Sequence, residues 1–243
     1  MKRYSSIYFI LFALLISGSV VASENVGSNA QEKAVAKNLP TFPYEHGWFG
    51  ADDAYSVPLT ATKSVWLFGD TFVADPSTTL RSKYKAMPRN SVGISNCEAG
   101  KDCTMKYYWK DASSPNPRSF FDTGRDEVWY WPLDGYYDGS KLYLSLMIVQ
   151  TKKGSGPEDP FGFEIAGTQW MVIDNPLDTP DKWHVNSKHL TDGDLWVGNS
   201  TFKDGQFVFF YSQVSAGEGK GYMTVLRVPS DQLADPSKHW EYL

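Results

Sequence analysis

The sequence predicts an all-β fold of radially packed antiparallel sheets, a β-propeller with about three blades present. Three observations predict it. The run Asp52-Asp53-Ala54-Tyr55-Ser56-Val57-Pro58-Leu59 aligns without gaps with Asp126-Glu127-Val128-Trp129-Tyr130-Trp131-Pro132-Leu133, and a shorter third copy stands at Asp194-Leu195-Trp196-Val197-Gly198-Asn199. Each copy precedes a turn and then a strongly apolar segment, the grammar of a β-hairpin. The chain is also 42% hydrophobic and 15% aromatic, enough to build a core in one domain of 243 residues.

Taken in order, the first hairpin joins Asp52–Leu59 to Val65–Phe68 through the polar turn Thr60–Ser64, and Ser91–Ser95 and Thr104–Trp109 follow as further strands. The second joins Asp126–Leu133 to Leu142–Val149 through Asp138-Gly139, with Thr168–Ile173 and Trp183–Ser187 after it. The third joins Asp194–Asn199 to Phe207–Tyr211 through Asp204-Gly205, with Tyr222–Val228 after it. Asp-Gly pairs suit the positive φ angles of tight hairpins. The repeat of about 70 residues exceeds the roughly 40–50 of common propeller blades, and the excess falls in polar loops such as Asp111–Gly124 and Lys152–Pro160. Closed propellers use about four to eight blades, and the chain stops at His239–Leu243 in the middle of a strand-like pattern, so the expectation is an incomplete ring, blades one to three.

The N-terminal 22 residues read as an export signal: Lys2 and Arg3, an apolar stretch over Ile7–Ile16, and the small-residue site Val20-Val21-Ala22. That stretch is too short for a membrane span, and a flexible lead over residues 23–39 separates it from a domain at 40–243. A secreted or periplasmic location follows. Its two cysteines, Cys97 and Cys103, then form a disulfide stapling a strand-to-strand loop. Signal removal takes the formal net charge from −5 to −7, because Lys2 and Arg3 leave with it. With that charge and no basic run, nucleic acid is not an expected partner.

Acidic residues at equivalent repeat positions are the candidate chemistry. A propeller brings equivalent blade positions to one axis, so Asp52/Asp53, Asp126/Glu127 and Asp194 are expected to share a funnel with Asp70. Paired carboxylates there supply the acid and base of glycoside hydrolysis, and their mutual repulsion raises at least one pKa. Two other readings of the same residues stand beside this, and the aromatic residues carry a double reading of their own. Asp beside a strand start is commonly a turn former. Clustered oxygens can hold calcium, though Asp192-Gly193-Asp194 lacks the rest of a calcium loop. Most of the aromatic residues serve packing between blades, while those at a funnel mouth stack on sugars. A hairpin symmetric about residues 61 and 62 places Asp53 opposite Asp70, with Asp52 on the other face unless a bulge intervenes.

The segments Gly50–Leu59 and Leu67-Phe68-Gly69-Asp70-Thr71 resemble the opening blade of a bacterial five-bladed propeller family, long of unknown function, that includes endo-D-arabinanases. Arg89-Asn90-Ser91-Val92, Tyr130-Trp131-Pro132-Leu133-Asp134-Gly135, Gly198-Asn199-Ser200 and Arg227-Val228-Pro229 extend the resemblance from about Pro43 to the end of the chain. The usual Gly-Gly-Asp-Gly pattern of that family falls with its acid on Asp52, and Asp53 replaces a glycine. The resemblance implies Asp52 and Asp70 as the catalytic carboxylates, with no cofactor. Asp53, Glu127, Trp131, Asp194 and Asn199 are expected to contact or tune a polysaccharide substrate, arabinan being the one implied. The alternative expectation is a non-catalytic carbohydrate-binding propeller at the cell surface, and a third is a truncated copy that does not fold stably alone.

Overall fold

The computed structural model describes residues 39–156, 158–159, 161–193, 195–215 and 220–243, all within one compact unit. The expected export signal, all but the last residue of the expected lead, and Asp194 lie outside the described residues. What is described is all-β: fourteen strands in four antiparallel sheets, three short 3₁₀ turns, and no α-helix. Among the described residues no helix is long and apolar enough to cross a membrane.

A two-stranded ribbon pairs β1 (Trp48–Ala51) with β4 (Thr71–Val73). The first four-stranded sheet runs in the order β2 (Tyr55–Pro58), β3 (Lys63–Phe68), β5 (Ser91–Asn96), β6 (Thr104–Tyr108). The second is the meander β7 (Val128–Tyr137), β8 (Leu142–Thr151), β9 (Phe163–Ile173), β10 (Val185–Asp192). The third is β11 (Leu195–Asp204), β12 (Phe207–Ser215), β13 (Gly221–Pro229), β14 (Glu241–Tyr242). Every hairpin and follow-on strand expected from the sequence is present. The ribbon β1–β4 is an addition, the short β14 falls in the strand-like pattern at His239–Leu243, and β10 begins at Val185 because Trp183 closes a 3₁₀ turn.

Period-two alternation explains how the sheets stack. Leu142, Leu144 and Leu146 of β8 join Val57, Val65, Leu67 and Val92 of the first sheet in one core. The intervening Tyr143 joins Trp170 of β9 and Val208, Phe210 and Leu226 of the third sheet in another. The middle sheet is therefore buried on both faces, which is why β8 reads as an almost continuous apolar run. Trp170 is fully buried and its indole N–H donates to the Leu233 carbonyl at 2.9 Å, tying the second core to the strand connection after β13. The opposite face of the third sheet stays open and carries Phe202, Tyr211 and Met223. The first strands of the three sheets lie side by side, β7 contacting both β2 and β11.

Cys97 and Cys103 are disulfide-bonded across the β5–β6 loop. A loop this short limits the entropy that closure removes, so a Cys97→Ser/Cys103→Ser chain is expected to keep its fold. Its melting temperature should fall by about 5 °C, the effect of roughly 2 kcal/mol in a domain of this size. Thermal melts with and without reductant check this.

One expected register is corrected. Tyr55 pairs with Leu67 and Pro58 with Ser64, so the hairpin centres on residue 61 and Asp52, not Asp53, falls opposite Asp70. The turn decides this. The Lys63 carbonyl accepts from Leu59 N–H and Thr60 N–H, while Thr60 Oγ1 accepts from Thr62 N–H and Lys63 N–H. The loop therefore closes at Lys63, earlier than the expected end at Ser64.

Candidate active site

The site is built where the first hairpin meets the ribbon. Asp52 faces two residues at once: its N–H donates to the Asp70 carbonyl at 2.9 Å and its carbonyl accepts from Gly69 N–H at 2.8 Å. The pairing register is the same on either side, Ala51 opposite Thr71 and Tyr55 opposite Leu67, so Asp52 stays opposite Asp70. Asp53 next to it takes the left-handed conformation, with φ of 58°, a conformation Asp tolerates better than most residues. Its Oδ2 lies over Gly69, 3.0 Å from where a Cβ on that glycine would stand. A side chain at 69 would make the Asp53 carboxylate give way by a few tenths of an ångström.

Asp70 is held from below by a buried network. Thr71 Oγ1 donates to the Gly69 carbonyl at 2.7 Å and shares a hydrogen bond with Ser91 Oγ at 2.9 Å, and Thr71 N–H donates to the Pro88 carbonyl. Ser91 Oγ accepts from Trp48 Nε1, whose ring stacks on Tyr107 at 4.0 Å between centroids. The Asp70 carboxylate then receives one donor on each oxygen: Trp131 Nε1 at 3.0 Å on Oδ1 and Arg89 Nη1 at 3.3 Å on Oδ2. Arg89 also lies over the Trp129 ring at 4.5 Å, and Trp131 packs edge-on against Phe163 at 4.9 Å. Such charge-assisted and cation–π contacts orient a carboxylate without neutralising it.

Two clefts adjoin at Asp70 and Trp131, which line both. One, of about 510 Å³, is walled by Asp52, Asp53, Tyr55, Pro132 and Met147. The other, of about 440 Å³, is walled by Met87, Arg89, Asp126, Trp129 and Phe163. Asp70 therefore stands at the junction of the two clefts.

Electrostatics separate the acids. The Asp70 carboxyl is pushed up by burial and by Asp52, against the donors Trp131 and Arg89, which favour its charged form. Asp53 is also pushed up, by burial first and then by the charges of Asp52 and Asp70, with no donor opposing the shift. Burial, then Asp53 and Asp134, likewise raises Tyr55 and keeps it a neutral donor. A raised folded-state value means the fold loses stability as pH climbs through the carboxylate range and does not regain it above. Asp53→Asn, which keeps the left-handed backbone accessible, is therefore expected to raise the melting temperature at pH 7 by about 2 °C. The gain should vanish below about pH 3, where both chains carry a neutral group. Melts across pH check both the sign and the window.

The other expected residues separate. Trp131 joins the site as above. Glu127 is exposed at the start of β7, where its carbonyl accepts from Thr151 N–H, and it lines neither cleft; Asp126 lines the second. Asn199 lies in the irregular stretch of β11 between Trp196 and Ser200, beside Gly198, and its buried Oδ1 has no hydrogen-bond partner. Asp194 is outside the described residues. Asp126 shares the second cleft with Asp70, but the residue of this stretch that bonds to the Asp70 carboxylate is Trp131.

Arg89 and Asp134 were not expected at the site. The Asp134 carboxylate accepts from Thr201 N–H at 2.7 Å and from its own neighbour Gly135 N–H at 2.8 Å, joining β7 to β11. Among the described residues no group of three or more His, Cys, Asp or Glu is placed to hold a metal ion.

Fold and site together define an all-β protein with a carboxylate cluster at the junction of two aromatic-walled clefts. Residues 41–243 match the family described as a domain of unknown function, DUF5005, and the chain belongs to that family. Among curated proteins none matches. A crystal structure of a Bacteroides ovatus protein, provisionally described as a hydrolase, is similar with a TM-score of 0.60 at 18% identity. The match covers 82% of this chain and 55% of that one, so the chain spans about half the length of its neighbour. At that identity the likeness concerns the fold.

Proposed function

We propose that the protein is an exported glycoside hydrolase that cleaves a furanose polysaccharide of the arabinan type. Its fold is read as three blades of a five-bladed propeller. The observation that carries this reading is Asp70, held by Trp131 and Arg89 at the junction of two clefts with Asp52 and Asp53 beside it. Water is added across a glycosidic bond by an acid that protonates the leaving oxygen and a carboxylate that acts as base or nucleophile. Asp70, whose charged form two donors favour against the upward push of burial, suits the second role. The acid comes from the Asp52–Asp53 pair. Asp52 is the position implied by family resemblance, whereas the electrostatics support Asp53, whose proton no donor displaces. Trp129, Trp131 and Phe163 offer ring faces and edges to sugars. The provisional hydrolase description of the structural neighbour and the oxidised Cys97–Cys103 pair support hydrolysis and an oxidising compartment, respectively.

A second reading, carbohydrate binding without cleavage, is favoured by one observation: both Asp70 oxygens already accept a bond from the chain itself. Incubating the protein with D-arabinan and with L-arabinan, followed by chromatography of the products, separates the two. Oligosaccharide release that Asp53→Asn or Asp52→Asn eliminates supports hydrolysis and identifies the acid. A folded, monodisperse protein that retains arabinan on a column and releases nothing supports binding alone.

A further inference from the structure

On the side of the second sheet that faces the first, beyond the end of their shared core, two cavities of about 560 Å³ each have Tyr130 in common. Neither shares a residue with the two clefts at Asp70. Their size falls within the roughly 300–1,000 Å³ of small-molecule sites. One is aromatic: Tyr108 of β6, Trp109, Phe120 and Tyr130 line it with partly open rings, over a floor formed by Trp183. Phe120 meets Trp183 edge-on at 5.7 Å, and Trp183 is itself anchored by its N–H to the Asp178 carbonyl, so the floor is rigid. The other cavity is polar, lined by Arg125, Gln150, Glu164, Gln169 and the His189–Asp192 pair, which are 2.8 Å apart.

Along this groove polar atoms stand open and without a partner among the described residues: the side-chain amide of Gln169, a residue only 8% exposed, and the phenol oxygens of Tyr108 and Tyr130. Burial raises both phenols, so they stay protonated donors. Buried polar groups in folded proteins are almost always hydrogen-bonded. The indole N–H of Trp109 is buried without a partner. Acids outnumber bases along it, Asp111, Asp122, Asp181, Glu164 and Asp192 against Arg125 and Lys110, which disfavours an anionic ligand. Flat aromatic faces interleaved with unpaired donors and acceptors match a ligand with apolar C–H faces and many hydroxyls.

We propose that this groove is a second saccharide-binding site, separate from Asp70, that holds a stretch of neutral polysaccharide. Sugar faces stack on Trp109, Tyr108 and Phe120, and hydroxyls pair with the Tyr108 and Tyr130 phenols and the Gln169 amide. The proposal rests on the saccharide class of the reading above and does not require cleavage.

Electrophoresis of the full chain through gels containing D-arabinan or L-arabinan tests it, in the Asp70→Asn background so that the probe is not degraded. A Trp131→Ala version, which disables the first site, is expected to remain retarded. Adding Tyr108→Phe and Tyr130→Phe should weaken that retardation about fivefold per hydroxyl removed, the usual worth of one hydrogen bond. Trp109→Ala should abolish it, with Gln169→Met as a milder companion. The Tyr→Phe changes remove one oxygen each and leave packing in place, so they decide the matter if Trp109→Ala fails to fold. The proposal is overturned if the groove substitutions leave retardation unchanged, or if neither polysaccharide retards the Trp131→Ala chain. Loss of product release in Asp70→Asn with retardation intact, or absence of product from every chain, bears on the hydrolase reading and not on this one.

Discussion

Asp70→Asn is expected to lower the rate of polysaccharide cleavage by about 10²–10⁴-fold, the range for loss of a positioned acid, base or nucleophile. Asparagine matches the carboxylate in shape, so Oδ1 continues to accept from Trp131 Nε1 and only the partly exposed ion pair with Arg89 is lost. Such pairs contribute little to stability, and the network of Thr71, Ser91 and Trp48 that fixes the backbone at 70 is untouched. Initial rates on the preferred arabinan, measured beside a thermal melt, separate lost chemistry from lost structure. Full activity in Asp70→Asn would remove Asp70 from the mechanism. Full activity in Asp52→Asn and Asp53→Asn as well would remove the carboxylate mechanism altogether.

Asn90→Ala is expected to be the most destabilising of the substitutions considered, lowering the melting temperature by about 10 °C. Asn90 is fully buried and spends its whole amide on the connection between the first two sheets. Its Nδ2 donates to the Phe121 carbonyl at 3.0 Å and the Tyr130 carbonyl at 2.9 Å, while its Oδ1 accepts from Phe121 N–H at 2.7 Å. Alanine leaves those three backbone groups buried and unpaired, each at a cost of about 1–3 kcal/mol, offset where water enters. Because Arg89 is the adjacent residue and Trp131 follows Tyr130, the change should also loosen the donors to Asp70. Circular-dichroism melts, with arabinan cleavage measured well below the transition, test both effects. A melting temperature within 2–3 °C of the parent would show that the connection is held by other contacts.

How much of this was legible in the chain differs from element to element. The meander order of the three four-stranded sheets was, because alternation, apolar runs and Asp-Gly turns are local properties that survive whatever the surroundings. Asp70 and Trp131 were both singled out in the sequence, one from the hairpin and one from resemblance, and the fold joins them by a hydrogen bond. The partner of Asp70 across the hairpin was not. Thr60 Oγ1 caps the turn and closes the loop at Lys63, a one-residue change in register that exchanges Asp53 for Asp52 opposite Asp70. The short ribbon β1–β4 was missed because its strands of four and three residues carry too little pattern to stand out.

By itself the sequence determined the all-β class, the hairpins, the Cys97–Cys103 staple and the presence of acids at the head of the first hairpin. Each is dictated by composition, side-chain alternation or spacing within a few residues. Only the tertiary structure decided that Trp131 rather than Asp126 bonds to Asp70, that Arg89 sits between Trp129 and the carboxylate, and that Glu127 stands apart. Those outcomes depend on the angle at which the leucines of β8 pack against Val57, Val65 and Leu67. Contacts between sheets are set by the shape of the shared core, and that shape is a property of many residues at once.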